Sequence, residues 1–433
     1  MSDLLAARAQ MAMSLGFHII FAAIGIAMPL LMVIAEWSWH RTSDPVYLNL
    51  AQRWAKGTAI LFAVGAVSGT VLSFELGLLW PHFMGWAGAI IGMPFSLEGF
   101  AFFLEAIFLG IYLYGWNRVS PKAHFFAGIV VAISGAASGV FVVIANSWMN
   151  TPTGFQIING QVANVDPIAA MLNPAAFSEC LHMLLAAYAA TGFAVAGIHA
   201  FFLLRYPSEQ FHRAALAIAL TVGGATAIVQ PLSGDLIARA VAHNQPAKLA
   251  AFEAHYQTQS GAPFKIMGPL QIPHGLSLLI YHRMDATVIG LDDFPPADRP
   301  PVTPVRISFQ VMVATGSAMA IVGIYWFWLL WKKREFPASK WFLRTVLASA
   351  PLGFLAIETG WIVTEVGRQP WIIYGFMRTR DAVTPMPGLI VPFLTFTTLY
   401  IFLAFIVAWM LIRHVSDVPV DSTLSTNDDV SPA

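Results

Sequence analysis

The chain has 433 residues, of which 57% are hydrophobic and only 11% are charged. Soluble domains carry about 25% charged residues, so the composition excludes an ordinary soluble protein and indicates a polytopic protein of the lipid bilayer. The formal net charge of zero gives no reason to expect nucleic acid as a partner, and the single cysteine, Cys180, permits neither an internal disulfide nor a cysteine-ligated metal cluster.

Nine apolar runs are long enough to cross about 30 Å of hydrocarbon as helices. The sequence therefore predicts an all-α integral membrane protein with about nine transmembrane helices. The predicted spans are residues 11–37, 55–80, 95–116, 124–148, 176–205, 213–236, 306–331, 342–366 and 387–413. Residues 1–236 hold spans 1 to 6, 237–305 form a long polar loop, 306–413 hold spans 7 to 9, and 414–433 form a polar tail that we expect to be disordered.

Lysine and arginine indicate the orientation of the spans. They concentrate in the loops after spans 1, 3, 5 and 7, for example at Lys122 and Arg334, and are absent from the loops after spans 2 and 4. The positive-inside rule then predicts the N-terminus outside and the C-terminus in the cytoplasm. The last loop, with Arg368, Arg378 and Arg380, is an exception to the pattern.

The loop of residues 237–305 is polar and unusually long, and loops of this length are usually functional or disordered. Residues 247–256, which contain Lys248 and Glu253, are predicted to form a short helix. The second half, around the Pro-rich residues 294–301, is predicted to be extended.

Two histidines and a methionine lie at matching depths in their predicted spans. His18, His182 and Met312 each lie six or seven residues from the outer end, which is roughly 10 Å at 1.5 Å per residue. A lone intramembrane histidine is more often a hydrogen-bonded packing residue than a ligand. Matching depth makes ligation of a haem iron possible, and a His/Met pair raises the reduction potential of a haem.

Carboxylates form two ladders inside the predicted spans. Glu98 and Glu105 in span 3, and Glu365 and Glu358 in span 8, are spaced seven residues apart, which places each pair on one face of its helix. Glu75 lies near the outer end of span 2. Buried acids in a membrane suit proton movement, but they can also make structural contacts.

One such structural contact is a salt bridge between Glu365 and Arg368, three residues apart. The residues alone leave two functions open, a proton-coupled transporter and a membrane redox enzyme.

Eight motifs, in order along the chain, resemble subunit I of cytochrome bd-type quinol oxidases. They are Gly16-Phe-His18, Trp80-Pro-His-Phe-Met, Leu97-Glu98-Gly-Phe-Ala-Phe-Phe-Leu-Glu105, Ala145-Asn-Ser-Trp-Met-Asn150, His182, Lys248-Leu-Ala-Ala-Phe-Glu253, Phe309-Gln-Val-Met312 and Gly367-Arg-Gln-Pro-Trp371. The long loop is short for the family, and Gln310 stands where many members have arginine. Both features resemble the cyanide-insensitive branch.

The resemblance implies a set of haem ligands. His182 and Met312 match the axial ligands of a low-spin haem b. His18 and Glu365 match the ligands of two high-spin haems, one haem b and the other haem d or a further haem b. Arg368 and Trp371 are implied to lie beside the cofactors.

The resemblance also implies the substrate sites. Lys248 and Glu253 match quinol-contacting residues of the loop at 237–305, which is called the Q loop in the family. Glu98 and Glu105 match acids associated with the high-spin haems and proton supply. Glu358 and Glu75 are possible proton relays.

The implied activity is quinol oxidation on the outer face and reduction of dioxygen to water with cytoplasmic protons, in a bacterial inner membrane. A homologous subunit II and a small single-span subunit are the implied partners. A haem-bearing anchor that passes electrons without meeting oxygen is a further alternative to the oxidase and the transporter.

Overall fold

The computed structural model describes residues 1–266, 270–333, 336 and 339–416. Nine helices within these ranges are long and apolar enough to cross a membrane, which confirms the predicted all-α membrane fold. Residues 417–433 of the predicted tail lie outside the described part of the chain, as does Arg334.

The first half of the chain forms long helices with one hairpin between the fourth and fifth spans. Its elements are α1 (Asp3–Thr42), α2 (Pro45–Leu79), α3 (Pro81–Tyr114), α4 (Pro121–Asn150), β1 (Gln156–Ile158), β2 (Gln161–Ala163), α5 (Pro167–Met171), α6 (Ala176–Arg205) and α7 (Gln210–Asn244). β1 and β2 pair in antiparallel register, with Ile157 opposite Val162.

The second half begins with the Q loop and ends with three spans. Its elements are α8 (Pro246–Glu253), β3 (Gln259–Ser260), β4 (Phe264–Lys265), β5 (Gln271–Ile272), α9 (Gly275–Tyr281), β6 (Thr287–Val288), α10 (Val302–Lys333), α11 (Lys340–Ser349), α12 (Leu352–Val366), β7 (Trp371–Ile373), β8 (Met377–Arg378), α13 (Thr379–Ala382) and α14 (Ile390–Ser416). The antiparallel strand pairs are β3 with β6, β4 with β5, and β7 with β8.

Predicted boundaries were wrong at the start of span 3, the end of span 6 and the start of the tail. Span 3 was expected to begin at 95, but α3 begins at Pro81, and only Trp80 separates it from α2. Proline is favoured in the first helical turn, where its missing N–H costs nothing, so the helix starts there although its first turns are less apolar than its centre. α7 likewise continues eight residues beyond the predicted end at 236. The predicted tail also starts inside α14, which ends at Ser416.

Span 8 was expected to be one continuous helix; Lys340–Val366 does form one of the nine candidate spans, but a turn divides it into two helices. α11 ends at Ser349 and α12 begins at Leu352, with Ala350 and Pro351 between them. Proline removes a backbone N–H and its ring clashes with the preceding turn, which interrupts a helix. Immediately after the break, a Cβ on Gly353 would lie 2.3 Å from Ala190 Cα, so α12 lies directly against α6.

Glycines also bring α7 into close contact with both α6 and α10. A Cβ on Gly192 of α6 would lie 2.6 Å from Gly223 Cα of α7, and one on Gly323 of α10 would lie 2.8 Å from the carbonyl oxygen of Gly224. Small residues allow backbones to approach in membranes, where packing rather than the hydrophobic effect drives association. These contacts hold α6, α7 and α10 together at the centre of the bundle.

The Q loop packs on the end of the bundle through its own apolar core. Leu249, Phe252, Leu276 and Ile280 are buried together with Val305 of α10. The rings of Phe252 and Phe309 stack with centroids 4.4 Å apart. The stretch at 294–301 was predicted to be extended, but it contains a 3-10 turn at Pro296–Asp298.

The bundle therefore has two distinguishable ends. The end covered by the Q loop is called the loop end here. The other, where α1 joins α2, α3 joins α4 and α6 joins α7, is called the basic end because Lys and Arg concentrate there.

The glycine contact between α6 and α7 gives a stability prediction. Gly192→Ala places a methyl group against backbone that cannot move without separating the helices, so we expect a loss of about 1–3 kcal/mol. The thermal unfolding midpoint of the detergent-purified protein measures it. Gly110→Ala is the matched control, because a Cβ there meets no atom within 4 Å. Equal midpoints for the two variants would contradict the packing argument.

Candidate functional site

A cavity of about 1220 Å³ runs through the loop-end half of the bundle. Most of its lining is apolar, and α1, α3, α6, α7, α10 and α12 all contribute to it. Nine of the residues singled out by the sequence line it: His18, Glu98, Glu105, His182, Lys248, Glu253, Met312, Glu365 and Arg368. The structure thus brings together side chains that are up to 350 positions apart in sequence, since 368 − 18 = 350.

His18 is held in one tautomer by Ser68 of α2. Its Nδ1 lies 2.9 Å from Ser68 Oγ, and the Ser68 hydroxyl is in donating distance of two carbonyl oxygens of its own helix, those of Val64 at 2.9 Å and Gly65 at 3.1 Å. A serine hydroxyl has one hydrogen to donate, so the imidazole Nδ1–H donates to Ser68. The lone pair is then on Nε2, the arrangement that a metal-binding histidine needs.

His182 repeats this arrangement on α6. Its Nδ1 lies 2.9 Å from Ser233 Oγ of α7, and Ser233 donates its hydrogen to the carbonyl oxygen of Gln230 at 2.8 Å. Nδ1–H is therefore the donor here too, and Nε2 carries the lone pair. Two histidines on one cavity are fixed in the ligating tautomer by two unrelated serines.

Glycines on neighbouring helices leave space beside the candidate ligands. A Cβ on Gly69 would lie 3.0 Å from the His18 ring, and one on Gly360 would lie 3.1 Å from Met312 Sδ. Any larger residue would push on the ring or the thioether. The sequence therefore keeps room around these side chains, within a cavity that is far larger than a water site.

Glu365 is engaged by two partners at the loop end of α12. Asn146 donates from Nδ2 to one carboxylate oxygen at 2.5 Å, and Arg368 forms a salt bridge with the other at 2.5 Å. The salt bridge that was considered as a structural alternative is therefore present. Arg368 is only 2% exposed, and its Nε has no hydrogen-bond partner in the described structure.

Asn150, at the end of α4, is the centre of the buried polar network around Arg368. Its Oδ1 accepts hydrogen bonds from Lys248 Nζ at 2.9 Å and from Gln245 Nε2 at 3.2 Å. Its Nδ2 donates to Glu179 at 3.2 Å. One amide thus connects the Q loop to α4 and α6.

The two candidate groups of the Q loop are both buried in α8. Burial and the charge of Arg368 lower the pKa of the Lys248 ammonium, and Glu179 and Glu365 oppose this. Burial raises the pKa of Glu253 to about 7, against the opposing charges of Arg306 and Lys265. Both groups can therefore change protonation state near neutral pH.

The carboxylate ladders differ in how they meet the cavity. Glu98 and Glu105 both line it, and Ser138 donates to Glu98 at 3.3 Å. Glu358 does not line it, although Gly16 leaves space for its carboxylate. Its Oε1 is buried and has no hydrogen-bond partner among the described residues.

Two other residues singled out by the sequence also lie away from the cavity. Glu75 sits between α1 and α2, where Gln10 and Ser14 donate to it at 2.9 and 3.0 Å. The guanidinium carbon of Arg378 lies 5.0 Å from the centroid of the Trp371 ring. Trp371 does not line the cavity.

Sequence reasoning did not assign roles to the residues that orient these groups. Ser68 and Ser233 sit in apolar runs and carry no signal of their own. Asn146 and Asn150 did carry a signal in the sequence, because two asparagines four residues apart on a span share a helix face. Their partners, however, lie on three other elements.

Comparison with known proteins identifies the family. The model of the family described as cytochrome bd terminal oxidase subunit I matches residues 6–419. The chain belongs to the cytochrome bd terminal oxidase subunit I family. The predicted resemblance is thereby confirmed.

Relatives in this oxidase family align over nearly the whole chain. One protein of Bacillus subtilis (strain 168), with the provisional name cytochrome bd menaquinol oxidase subunit I, is 37% identical over 98% of this chain and 99% of its own length. Cytochrome bd ubiquinol oxidase subunit 1 of the same organism is 31% identical over 98% of this chain and 97% of its own.

A solved structure, that of the bd oxidase from Geobacillus thermodenitrificans, has a TM-score of 0.90 and 39% identity to this chain. It covers 96% of this chain and 99% of its own. The chain is accordingly a subunit of a quinol oxidase, a multi-pass membrane oxidoreductase of the respiratory chain whose family carries haem and uses quinol and dioxygen.

The Asn150 network gives a second prediction. Asn150→Leu removes the acceptor of Lys248 and leaves buried polar groups unpaired, so we expect a loss of about 1–3 kcal/mol. The thermal unfolding midpoint measures it. Asn49→Leu is the matched control, since the hydrogen bond that Asn49 accepts from Arg53 is exposed. A midpoint lowered no further than in this control would show that the network does not stabilise the loop end.

Proposed function

We propose that this chain is the haem-containing subunit in which quinol is oxidised at the loop end and dioxygen is reduced to water with protons drawn from the basic end. The observation that carries the proposal is the pair of histidines, His18 and His182. Each is fixed with an Nε2 lone pair and each lines the same apolar cavity. Neutral imidazole in this tautomer is a common iron ligand.

The cavity residues fit haem groups. His182 and Met312 are proposed to hold a low-spin haem b, and His18 and Glu365 to hold one high-spin haem each, a haem b and either haem d or a further haem b. Bound haem supplies one-electron redox chemistry and an iron at which dioxygen is reduced. For Glu365 to become a ligand, at least one oxygen must exchange its contact with Asn146 or Arg368 for iron.

Arg368 is suited to the carboxylate side chains of haem. Its guanidinium is buried and its Nε lacks a partner, and a planar guanidinium binds carboxylates through paired hydrogen bonds. The unpartnered N–H is the group that a propionate would satisfy.

The quinol site is proposed at Lys248 and Glu253. Both side chains line the cavity from α8, so the ammonium can donate a hydrogen bond to a quinol oxygen and the carboxylate can accept a proton. Two quinols release four electrons and four protons, and one dioxygen takes up four of each to form two waters. Protons from quinol are released at the loop end, whereas the protons that form water are taken up from the basic end. This separation generates a proton motive force without a pump.

The proposed setting is a bacterial cytoplasmic membrane, with the N-terminus outside and a homologous subunit II beside this chain. Large apolar side chains such as Phe100 and Phe103 of α3 are exposed in the isolated chain. Such a surface fits lipid or a second membrane subunit. A small single-span subunit is a further proposed partner.

A reduced-minus-oxidised spectrum of the purified complex, with and without carbon monoxide, tests this function. We expect both low-spin haem signals and carbon-monoxide-sensitive ones. A protein without haem would be the transporter alternative, and one without a carbon monoxide response would be an electron-passing anchor.

Met312→Leu tests the proposed low-spin ligand. Loss of the thioether should change the spectrum and lower the reduction potential of the low-spin haem b, because His/Met ligation raises that potential. The carbon monoxide response should persist. Met28→Leu is the matched control, since Met28 is buried in the core and does not line the cavity. A low-spin spectrum unaltered in Met312→Leu would remove Met312 as a ligand.

Glu253→Gln tests the proposed base through pH. The carboxyl loses its proton above about pH 7, so quinol oxidation by the wild type should accelerate as pH rises through this value. The glutamine variant should lose that acceleration and turn over more slowly, by about 10²-fold or more if proton transfer limits the rate.

Steady-state quinol oxidation at several pH values, with haem content verified, measures this effect. Asp285→Asn, an exposed acid of the same loop, is the control. If both variants keep the wild-type pH profile, the base lies elsewhere.

A further inference from the structure

A second buried polar cluster lies at the basic end, on the side of the bundle away from the Q loop. It consists of Glu36 and His40 near the end of α1, Tyr112 near the end of α3, and His124 near the start of α4. These four residues are called the Glu36 cluster. No role for them follows from the haem or quinol sites described above.

The contacts of His124 define one proton that two groups share. Its Nε2 lies 2.9 Å from the carbonyl oxygen of Tyr112, which can only accept, so this nitrogen carries a hydrogen. Its Nδ1 lies 2.8 Å from Glu36 Oε1. That hydrogen bond needs one proton, placed either on the imidazole or on the carboxyl. In both arrangements the geometry is the same, so the proton can move along the bond without rearrangement of the backbone.

The cluster is connected to the protein surface at the basic end. His40 Nε2 lies 3.5 Å from the same Glu36 oxygen, and the His40 side chain is 31% exposed whereas Glu36 is 1% exposed. His40 therefore connects a fully buried carboxylate to the surface. The titratable groups that face Glu36 in the described structure are His40, His124 and Tyr112.

On its inner side the cluster includes the Tyr112 hydroxyl. In the described structure, neither Glu36 Oε2 nor the Tyr112 hydroxyl has a hydrogen bond of ordinary geometry. The Glu36 carboxylate nevertheless acts on that hydroxyl, both through its charge and as a hydrogen-bonding neighbour. Buried polar atoms are nearly always paired, so Glu36 connects Tyr112 as well as His124 to the cluster.

Tyr112 stands in line with the cavity carboxylates. It follows Glu105 by seven residues on α3, as Glu105 follows Glu98, which is about 10.5 Å of rise on the same helix face. On the facing helix, a Cβ on Gly128 would touch the Tyr112 ring and one on Gly135 would touch the Glu105 carboxylate. Glycines of α4 thus lie against both groups where α3 and α4 pack together.

We propose that the Glu36 cluster is the site where protons enter from the basic end on their way to Glu105 and Glu98. A proton from bulk water reaches Glu36 by way of His40, is held between Glu36 and His124, and passes through the region of Tyr112 to the cavity. Each dioxygen draws four protons through this route and no group is oxidised or reduced by the transfer. The proposal rests on the proposed oxidase function, since it needs a proton consumer in the cavity.

Glu36→Gln in the complete membrane complex is the test. Glutamine keeps the size and hydrogen bonding of the side chain but cannot release a proton. We expect full haem content, an unchanged spectrum and unchanged quinol KM, with oxygen consumption per haem reduced by about tenfold or more, as losing a proton-transfer group does when transfer limits the rate. Glu36→Asp should retain most of the turnover.

A second measurement separates proton entry from a structural role. In vesicles with oriented enzyme, wild-type turnover should follow the pH on the basic side, and Glu36→Gln should weaken that dependence. His212→Gln is the matched control. It disrupts another buried histidine contact at the same end, the 2.8 Å pair of His199 and His212, so it should lower stability without changing turnover per haem.

The outcomes are distinct. Wild-type turnover per haem in an assembled Glu36→Gln complex would overturn the inference and leave the oxidase function intact, whereas a wild-type complex without haem or oxygen consumption would overturn the function. If Glu36→Gln does not assemble, Tyr112→Phe decides, because it removes only the hydroxyl. Slower turnover with full haem content supports the route, and unchanged turnover refutes it.

Discussion

A charge buried in a membrane protein needs an opposite charge within the protein, and Arg368 shows how this chain supplies one. Its guanidinium is buried at the loop end of α12, where an unpaired charge would cost several kcal/mol. Glu365 neutralises it, and Asn150 links it to Lys248 of the Q loop. The same residues are those proposed to meet haem and quinol. The polar groups that hold the loop end together are therefore also those proposed to carry out its chemistry.

The histidines obtain their partners by a different route. His18 and His182 are not paired with charges, and each uses one ring nitrogen to reach a serine whose own hydrogen is already committed to its helix backbone. This leaves the second nitrogen with nothing to donate. A side chain that is satisfied on one side and basic on the other is prepared to bind a metal. At the basic end, His124 has acceptors at both nitrogens and is suited to hold a proton instead.

Much of this architecture was predictable because long apolar runs in the sequence identify the membrane spans. Nine spans, the short helix around Lys248 and the grouping of His18 with Met312 follow from length, spacing and motif. The start of α3 at Pro81 and the break at Pro351 each have a local cause, a proline, but a prediction from the length of apolar runs does not register it. Ser68, Asn150 and the Glu36 cluster did not follow either, because a hydrogen-bond partner on another helix leaves no periodic trace in the sequence.

The stacked rings of Phe252 and Phe309 have a mechanical consequence. Phe252 lies in α8 beside Glu253, and Phe309 lies one helical turn before Met312 on α10. Close-packed interiors transmit displacement rather than absorb it. A displacement of α8 would therefore displace, through Phe309, the turn of α10 that carries Met312. The Q loop and the half-buried Met312 are thus connected through a single pair of stacked rings.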